Sequence, residues 1–246
     1  MIAVHRTRSP IHCLYHVKSI IRSLSAPTEF CLLICICFGL TITANSLWII
    51  RHISVSHLPS ALTNSVVHLK NDGIVVSVIL ELLTLGIALL IGRVRGWSLR
   101  TFGLRPSWKW MGAGCLLFAA FLVIQRVIGL LTRTVLHSPV DFHRVSNLTI
   151  PFIILISIVN PVFEEALESG YFFHALQRHG MWLTVFAAAL FRGFLHATMG
   201  LSGFITMFAM GLLYGFVYWR WRQLWPLIVA HSLQMFYSLV PQALAA

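Results

Sequence analysis

The sequence predicts an all-α fold: a polytopic membrane helix bundle of about seven (six to eight) transmembrane helices. Three observations carry that expectation. The chain is 58% hydrophobic and only 10% charged, with a mean hydropathy of +0.83, well outside the balance of a soluble globular protein. Its apolar stretches are long enough to cross a hydrocarbon layer of ~30 Å as helices. Its basic residues also sort into alternating loops, as the connections of a membrane protein do.

In chain order, residues 1–28 form a basic segment with Arg6, Arg8, Lys18 and Arg22, and a first span follows at about 30–50. The apolar run continues through Ser46-Leu47-Trp48-Ile49-Ile50 without a small-residue cleavage site, so it reads as an anchor rather than a signal peptide. Cys31, Cys35 and Cys37 crowd this span, and with Cys13 and Cys115 they form no C-x-x-C pair, so they read as small apolar side chains. The polar stretch 51–72, with His52, His57 and His68, is a loop before a second span at 73–92. Residues 93–109 mix arginines with Trp97 and Trp108, as expected of a chain lying in the headgroup layer. A third span at 110–131 leads to the polar stretch 132–148, which holds His137, His143 and the triplet Asn147-Leu148-Thr149. Four more spans are expected at about 149–175, 181–198, 201–219 and 224–244. The natural division is thus the N-terminal segment 1–28, the helices and loops of 29–148, and the helical core of 149–246.

Of the 18 Lys and Arg, 12 fall on the side of the N-terminus and four (Arg51, Lys70, Arg133, Arg144) on the other. The positive-inside rule places the N-terminus in the cytoplasm, with seven spans leaving the C-terminus outside. The expected location is a bacterial cytoplasmic membrane. A net charge of +11 is accounted for by these loops, so nucleic acid is not an expected partner; the lipid bilayer is.

Burying a charge in hydrocarbon costs ~2.5 to 3.5 kcal/mol on insertion scales, so ionisable residues within spans are functional candidates. They are Glu81 in the second span, Arg126 in the third, Glu164, Glu165, Glu168 and His174 in the fourth, Arg192 and His196 in the fifth, and His231, followed by Gln234, in the seventh. The segment Asn160 to Phe173, NPVFEEALESGYFF, holds three of the chain's seven acids. On a helix Glu164 and Glu165 both lie near Glu168, and three like charges in a low-dielectric site cannot all remain ionised. A carboxylate beside a neutral imidazole is what a general base for water activation requires. By contrast, Glu81 is expected to make a helix-packing hydrogen bond, Arg126 to snorkel, and His174 and His179 to sit at the interface.

Glu164-Glu165 followed by Gly170 and aromatics, then Phe191 and His196, then Leu224-Trp225-Pro226 leading into Ala230-His231, resembles the CPBP family of intramembrane proteases, which includes CAAX prenyl endopeptidases and bacteriocin-processing or self-immunity proteins. The segment Phe102-Gly103-Leu104-Arg105-Pro106 is similar to these proteins as well. The resemblance covers about residues 149–244 and implies an intramembrane endopeptidase whose substrate is a membrane protein or peptide. It implies Glu164 or Glu165 with His196 as the pair that activates water, and His231 as a donor to the oxyanion.

This chain departs from the family's pattern at three positions. Ser169 stands where EExxxR has arginine, Arg192 where FxxxH has phenylalanine, and Met235 where HxxxN or HxxxD has an amide or carboxylate. The first two are expected to compensate: Arg192, one turn before His196, supplies the positive charge that Ser169 does not, and pairs with Glu168. Gln234 lies about 100° round the helix from Met235 and serves as a substitute only if that helix is rotated or unwound. Counted from the cytoplasmic ends of the spans, Glu165 and His196 lie ~20 to 22 Å deep but His231 only ~10 Å, which requires the seventh helix to start within the membrane or its boundary to move.

No cofactor is expected. Two histidines and a glutamate match a catalytic zinc shell in ligand type, but no H-E-x-x-H signature accompanies them, so zinc ranks below a metal-free glutamate mechanism. Two other readings compete: a catalytically inactive CPBP-like membrane scaffold or immunity protein, favoured by Ser169 and Met235, and a proton-coupled transporter, which lacks any inverted repeat or pair of broken helices.

Overall fold

The computed structural model describes residues 19, 21–54, 70–98, 100–135 and 148–244. Most of the basic N-terminal segment, His57, His68, His137 and His143 of the two polar loops, and Asn147 of the triplet lie outside the described residues, while residues 51–54, expected in a loop, continue the first helix. Every regular element among those described is helical: α1 (Ala26–Ser54), α2 (Asn71–Val94), α3 (Trp108–Val135), α4 (Ile150–Glu164), α5 (Phe172–Leu176), α6 (Met181–Leu195), α7 (Gly200–Trp221) and α8 (Trp225–Leu244). A π-helical turn, Glu165–Tyr171, joins α4 to α5, and 3-10 turns at Gln177–His179 and Ala197–Met199 flank α6.

Helices stand at all seven expected positions. Five segments are long and apolar enough to cross a membrane: Pro27–Leu47, Asn71–Val94, Trp108–Val135, Ile150–His179 and Ala197–Trp221. The protein is a polytopic integral membrane bundle. Helix α6, at 15 residues, is only ~22 Å long, and ends three residues earlier than the expected span. Helix α8 carries His231, Ser232, Gln234 and Ser238 and is not among the five.

The bundle is inside-out relative to a soluble protein. Leu82, Leu83 and Leu90 on α2 and Leu116, Val123 and Leu130 on α3 are exposed, as side chains facing lipid should be. The interior belongs to the fourth and sixth segments, with α6 against α7, α8 against α3 and α4, and α2 against α4. Small residues let backbones meet there: a Cβ added at Gly211 on α7 would lie 2.6 Å from the Cα of Ala189 on α6, and one at Gly114 on α3 would lie 2.7 Å from the Cβ of Val229 on α8.

Polar ties fix the heights of these helices. Arg95 Nε donates to the buried Glu29 carboxylate at 2.5 Å, joining the end of α2 to the start of α1. At the other end, the Thr149 backbone N–H donates to Asn71 Oδ1 at 3.2 Å, so α2 and α4 start level. The loop of 97–107 tucks beneath α8: Leu224 N–H donates to the Gly103 carbonyl at 3.0 Å and the Tyr218 hydroxyl donates to the Phe102 carbonyl at 2.9 Å. Gly103 takes φ +78°, and a Cβ there would overlap the Arg222 carbonyl, so only glycine fits. Leu224 and Leu227 are consequently fully buried, and α8 begins inside the folded body rather than at its surface. That explains why a depth counted from the end of its apolar run misplaces His231.

Candidate active site

The site is built where α4 stops being a regular α-helix. Pro161 has no N–H to donate to the preceding turn, and four residues later the chain widens into the π turn Glu165–Tyr171, all of whose residues are buried. The sequence reading treats this stretch as a plain α-helix; the π turn, of a kind frequent at functional sites, separates the two adjacent glutamates into different surroundings.

Glu165 faces the protein interior and is fully buried. Its Oε1 lies 2.7 Å from Arg192 Nη2 and 3.0 Å from His231 Nδ1, and its Oε2 accepts the Ser169 hydroxyl at 2.6 Å. Arg192, itself buried, also places Nε 2.8 Å from Glu168 Oε2, and its guanidinium carbon lies 5.6 Å from the Tyr214 ring centroid. One guanidinium on α6 thus bridges two carboxylates of the π turn. Ser169 is itself a hydrogen-bond donor to Glu165.

Glu164 faces the other way. Its Oε1 accepts from Asn160 Nδ2 at 3.0 Å, while its Oε2 is buried without a hydrogen-bond partner among the described residues and lies 3.9 Å from His231 Nε2. A cavity of about 730 Å³ adjoins these groups, lined by Asn160, His196, His231, Gln234 and Met235 at one end and by Gln125, Arg126, Arg133 and Tyr237 at the other. That volume lies in the range of ordinary ligand pockets.

The two histidines are held differently. The imidazole that contacts both glutamates is that of His231. His196 follows α6 at the break before α7, and its Nδ1 lies 2.9 Å from the Arg192 carbonyl, so Nδ1 carries the proton and donates. Among the described residues no hydrogen bond or ion pair joins His196 to a carboxylate, but it lines the same cavity as His231. Gln234, one turn beyond His231, is buried, with Oε1 unpaired, and lines the same cavity. Met235 lines it too, so neither residue needs the helix to unwind.

Residues 146–237 match the family model of the Rce1-like type II CAAX prenyl endopeptidases. This is consistent with the CPBP resemblance read from the motifs, and it covers a little over a third of the chain. No curated protein matches the chain, and neither does any solved structure. All seven site candidates, Glu164, Glu165, Glu168, Arg192, His196, His231 and Gln234, fall inside the Rce1-like region. Two polar residues that touch the site or its supports, Asn160 and Asn45, went unrecognised in the sequence, while Glu81 makes the helix-packing hydrogen bond expected of it. Asn160, inside the region, lies one turn before Glu164. Asn45 on α1 lies outside it and is buried; its Nδ2 donates to the Leu195 carbonyl at 2.7 Å and its Oδ1 accepts from Thr198 N–H at 3.3 Å. Glu81, also outside, accepts from Asn160 Nδ2 at 3.1 Å. Among the described residues no group of three or more His, Cys, Asp or Glu could hold a metal ion. Arg126 does not stand alone, since its Nη2 donates to the Tyr237 hydroxyl at 3.2 Å.

Proposed function

We propose that the protein is an intramembrane endopeptidase that hydrolyses a peptide bond of a membrane-associated protein or peptide with water activated by Glu164. The carrying observation is the division of labour within the glutamate pair. Glu165 is saturated by Arg192, His231 and Ser169, whereas Glu164 Oε2 has no hydrogen-bond partner among the described residues and lies 3.9 Å from Nε2 of the cavity-lining His231.

In this reading, water attacks the scissile carbonyl carbon and gives its proton to Glu164, with His196 Nε2 orienting the water. The carbonyl oxygen becomes an oxyanion. His231, which meets Glu165 through Nδ1, turns Nε2 toward that oxyanion as its hydrogen-bond donor. As the tetrahedral intermediate collapses, the C–N bond breaks and Glu164 returns its proton to the leaving amine, as a general acid. The role of Glu165 is to orient His231, as a carboxylate does in other histidine-containing sites. The excess of basic loops on one side supports a cytoplasmic N-terminus.

The alternative is an inactive CPBP-like scaffold or immunity protein, which the unusual Met235 favours. The deciding experiment incubates the protein in proteoliposomes with quenched fluorescent peptides, prenylated and unprenylated, and maps products by mass spectrometry. Glu164→Ala and His196→Ala are expected to abolish cleavage. Cleavage unaffected by these changes overturns the mechanism, and a wild-type protein that cleaves nothing favours the scaffold.

A further inference from the structure

Helices α2 and α4 run in the same direction from level starts, tied by the Thr149 to Asn71 hydrogen bond. Glu81 and Asn160 each lie ten residues further on, ~15 Å along their helices. They therefore meet at the same depth, in the middle of the bundle. The Asn160 amide nitrogen has two hydrogens, and it lies within hydrogen-bond distance of one carboxylate oxygen on each side, Glu81 Oε1 at 3.1 Å and Glu164 Oε1 at 3.0 Å.

We infer that Asn160, braced from α2 by Glu81, is a positioning residue that aims the Glu164 carboxylate at the cavity. This rests on the endopeptidase reading and adds to it a contribution from outside the Rce1-like region. The Glu164 side chain is attached just before the π turn, where the helix wall changes pitch, and among the described residues its one neighbour at ion-pair distance is the His231 ring, at 3.9 Å. Asn160 is the hydrogen-bond donor that fixes its Oε1. With Oε1 tied down, Oε2 is the atom left facing the histidine. Asn160 alone would have its own rotamer freedom; a second acceptor on a neighbouring helix removes it. A lone acid at this depth is costly to keep for packing alone. One oxygen of Glu81 is spent on Asn160 and the other is buried without a partner.

The test separates positioning from packing by exchanging the bridge's polarity. Asn160→Asp places three carboxyl groups together and is expected to lower the thermal midpoint in detergent. Adding Glu81→Gln returns an amide donor to the α2–α4 contact, so the midpoint is expected to recover in the double variant. Glu164, however, still lacks its donor. The infrared carboxyl band assigned by its loss in Glu164→Gln is expected to be displaced in Asn160→Asp and to remain displaced in the double variant. On a peptide that the wild type cleaves, kcat is expected to stay about 10- to 100-fold low at unchanged KM, the cost of a misplaced catalytic group. Recovery of the band and rate together with the midpoint would reduce Asn160 to a packing residue and overturn the inference. So would a midpoint that Glu81→Gln does not restore, because the bridge itself is then absent. A wild type that cleaves no peptide, with the band still displaced in both variants, fails the endopeptidase reading and leaves the positioning intact.

Discussion

Arg192 and Glu168 come from different helices and meet at 2.8 Å in the buried interior. The same guanidinium reaches Glu165 at 2.7 Å. Removing its charge leaves two buried carboxylates uncompensated, a change that costs about 3 to 5 kcal/mol. Arg192→Leu is therefore expected to lower the thermal midpoint sharply. Arg192→Lys should recover only part of it, because a point charge cannot fork across two acids. If Arg192→Glu combined with Glu168→Arg is no more stable than either single change, the pair with Glu168 is not an independent contributor.

Ser169 and Arg192 depart from the CPBP pattern together, and the structure links them through Glu165. Ser169→Arg alone crowds a second guanidinium into a filled site, and Arg192→Phe alone strips the one that bridges Glu165 and Glu168. Each single variant is expected to be destabilised, and the double variant, which restores the family's residue at both places, is expected to be more stable than either. A double variant as unstable as the sum of the singles would mean that the two departures arose independently.

Asn45 spans the break that presents His196, accepting from one side of the turn and donating to the other. Asn45→Leu leaves a buried N–H and a buried carbonyl unpaired, at ~1 to 3 kcal/mol each. Peptidase activity should fall with it, and Asn45→Asp, which keeps the acceptor but loses the donor, should not rescue. Equal stability of Asn45→Leu and wild type in thermal unfolding would refute this.

Gly211 lets α7 approach α6 to within contact of Ala189. Gly211→Val must push the two helices apart and is expected to cost at least about 2 kcal/mol, read as a lower unfolding midpoint. A neutral substitution would mean that the close approach is not a constraint.

Gln234 lines the cavity one turn past His231, where Met235 offers no donor. If it serves the oxyanion, Gln234→Leu should lower kcat by about 100-fold or more with the unfolding midpoint within a degree or two. An unchanged kcat assigns it to packing.

Much of the bundle could be read from composition, because lipid imposes long apolar helices and puts ionisable groups only where they are paired or used. Glu164, Glu165, Arg192, His196 and His231 stand out for that reason. The spacing that sets Arg192 one turn before His196 also made its partner Glu168, in the π turn, inferable. Other features depend on information that no local pattern carries. Asn160 and Asn45 are ordinary amides until a neighbouring helix supplies their partners, and Glu81 finds its role through Asn160. His231 looked too shallow because Trp225 opens an apolar run, whereas Leu224 is already covered by the loop around Gly103. Nothing in EALESGY announces a change of helical pitch.

That change of pitch makes the spacing of residues as consequential as their identity. A π turn holds one residue more than the α turn it replaces, so losing any single residue between Ala166 and Gly170 would let the helix run on uninterrupted. Everything up to Glu164 would then keep nearly its phase against everything from Phe172 onward, because the extra residue of a π turn is absorbed by its wider pitch, but the residues within the turn would change face. The glutamate pair would survive such a deletion in place, yet Glu168 and Ser169 would no longer both be held against Arg192 and Glu165. The segment should thus tolerate exchanges of side chain better than changes of length.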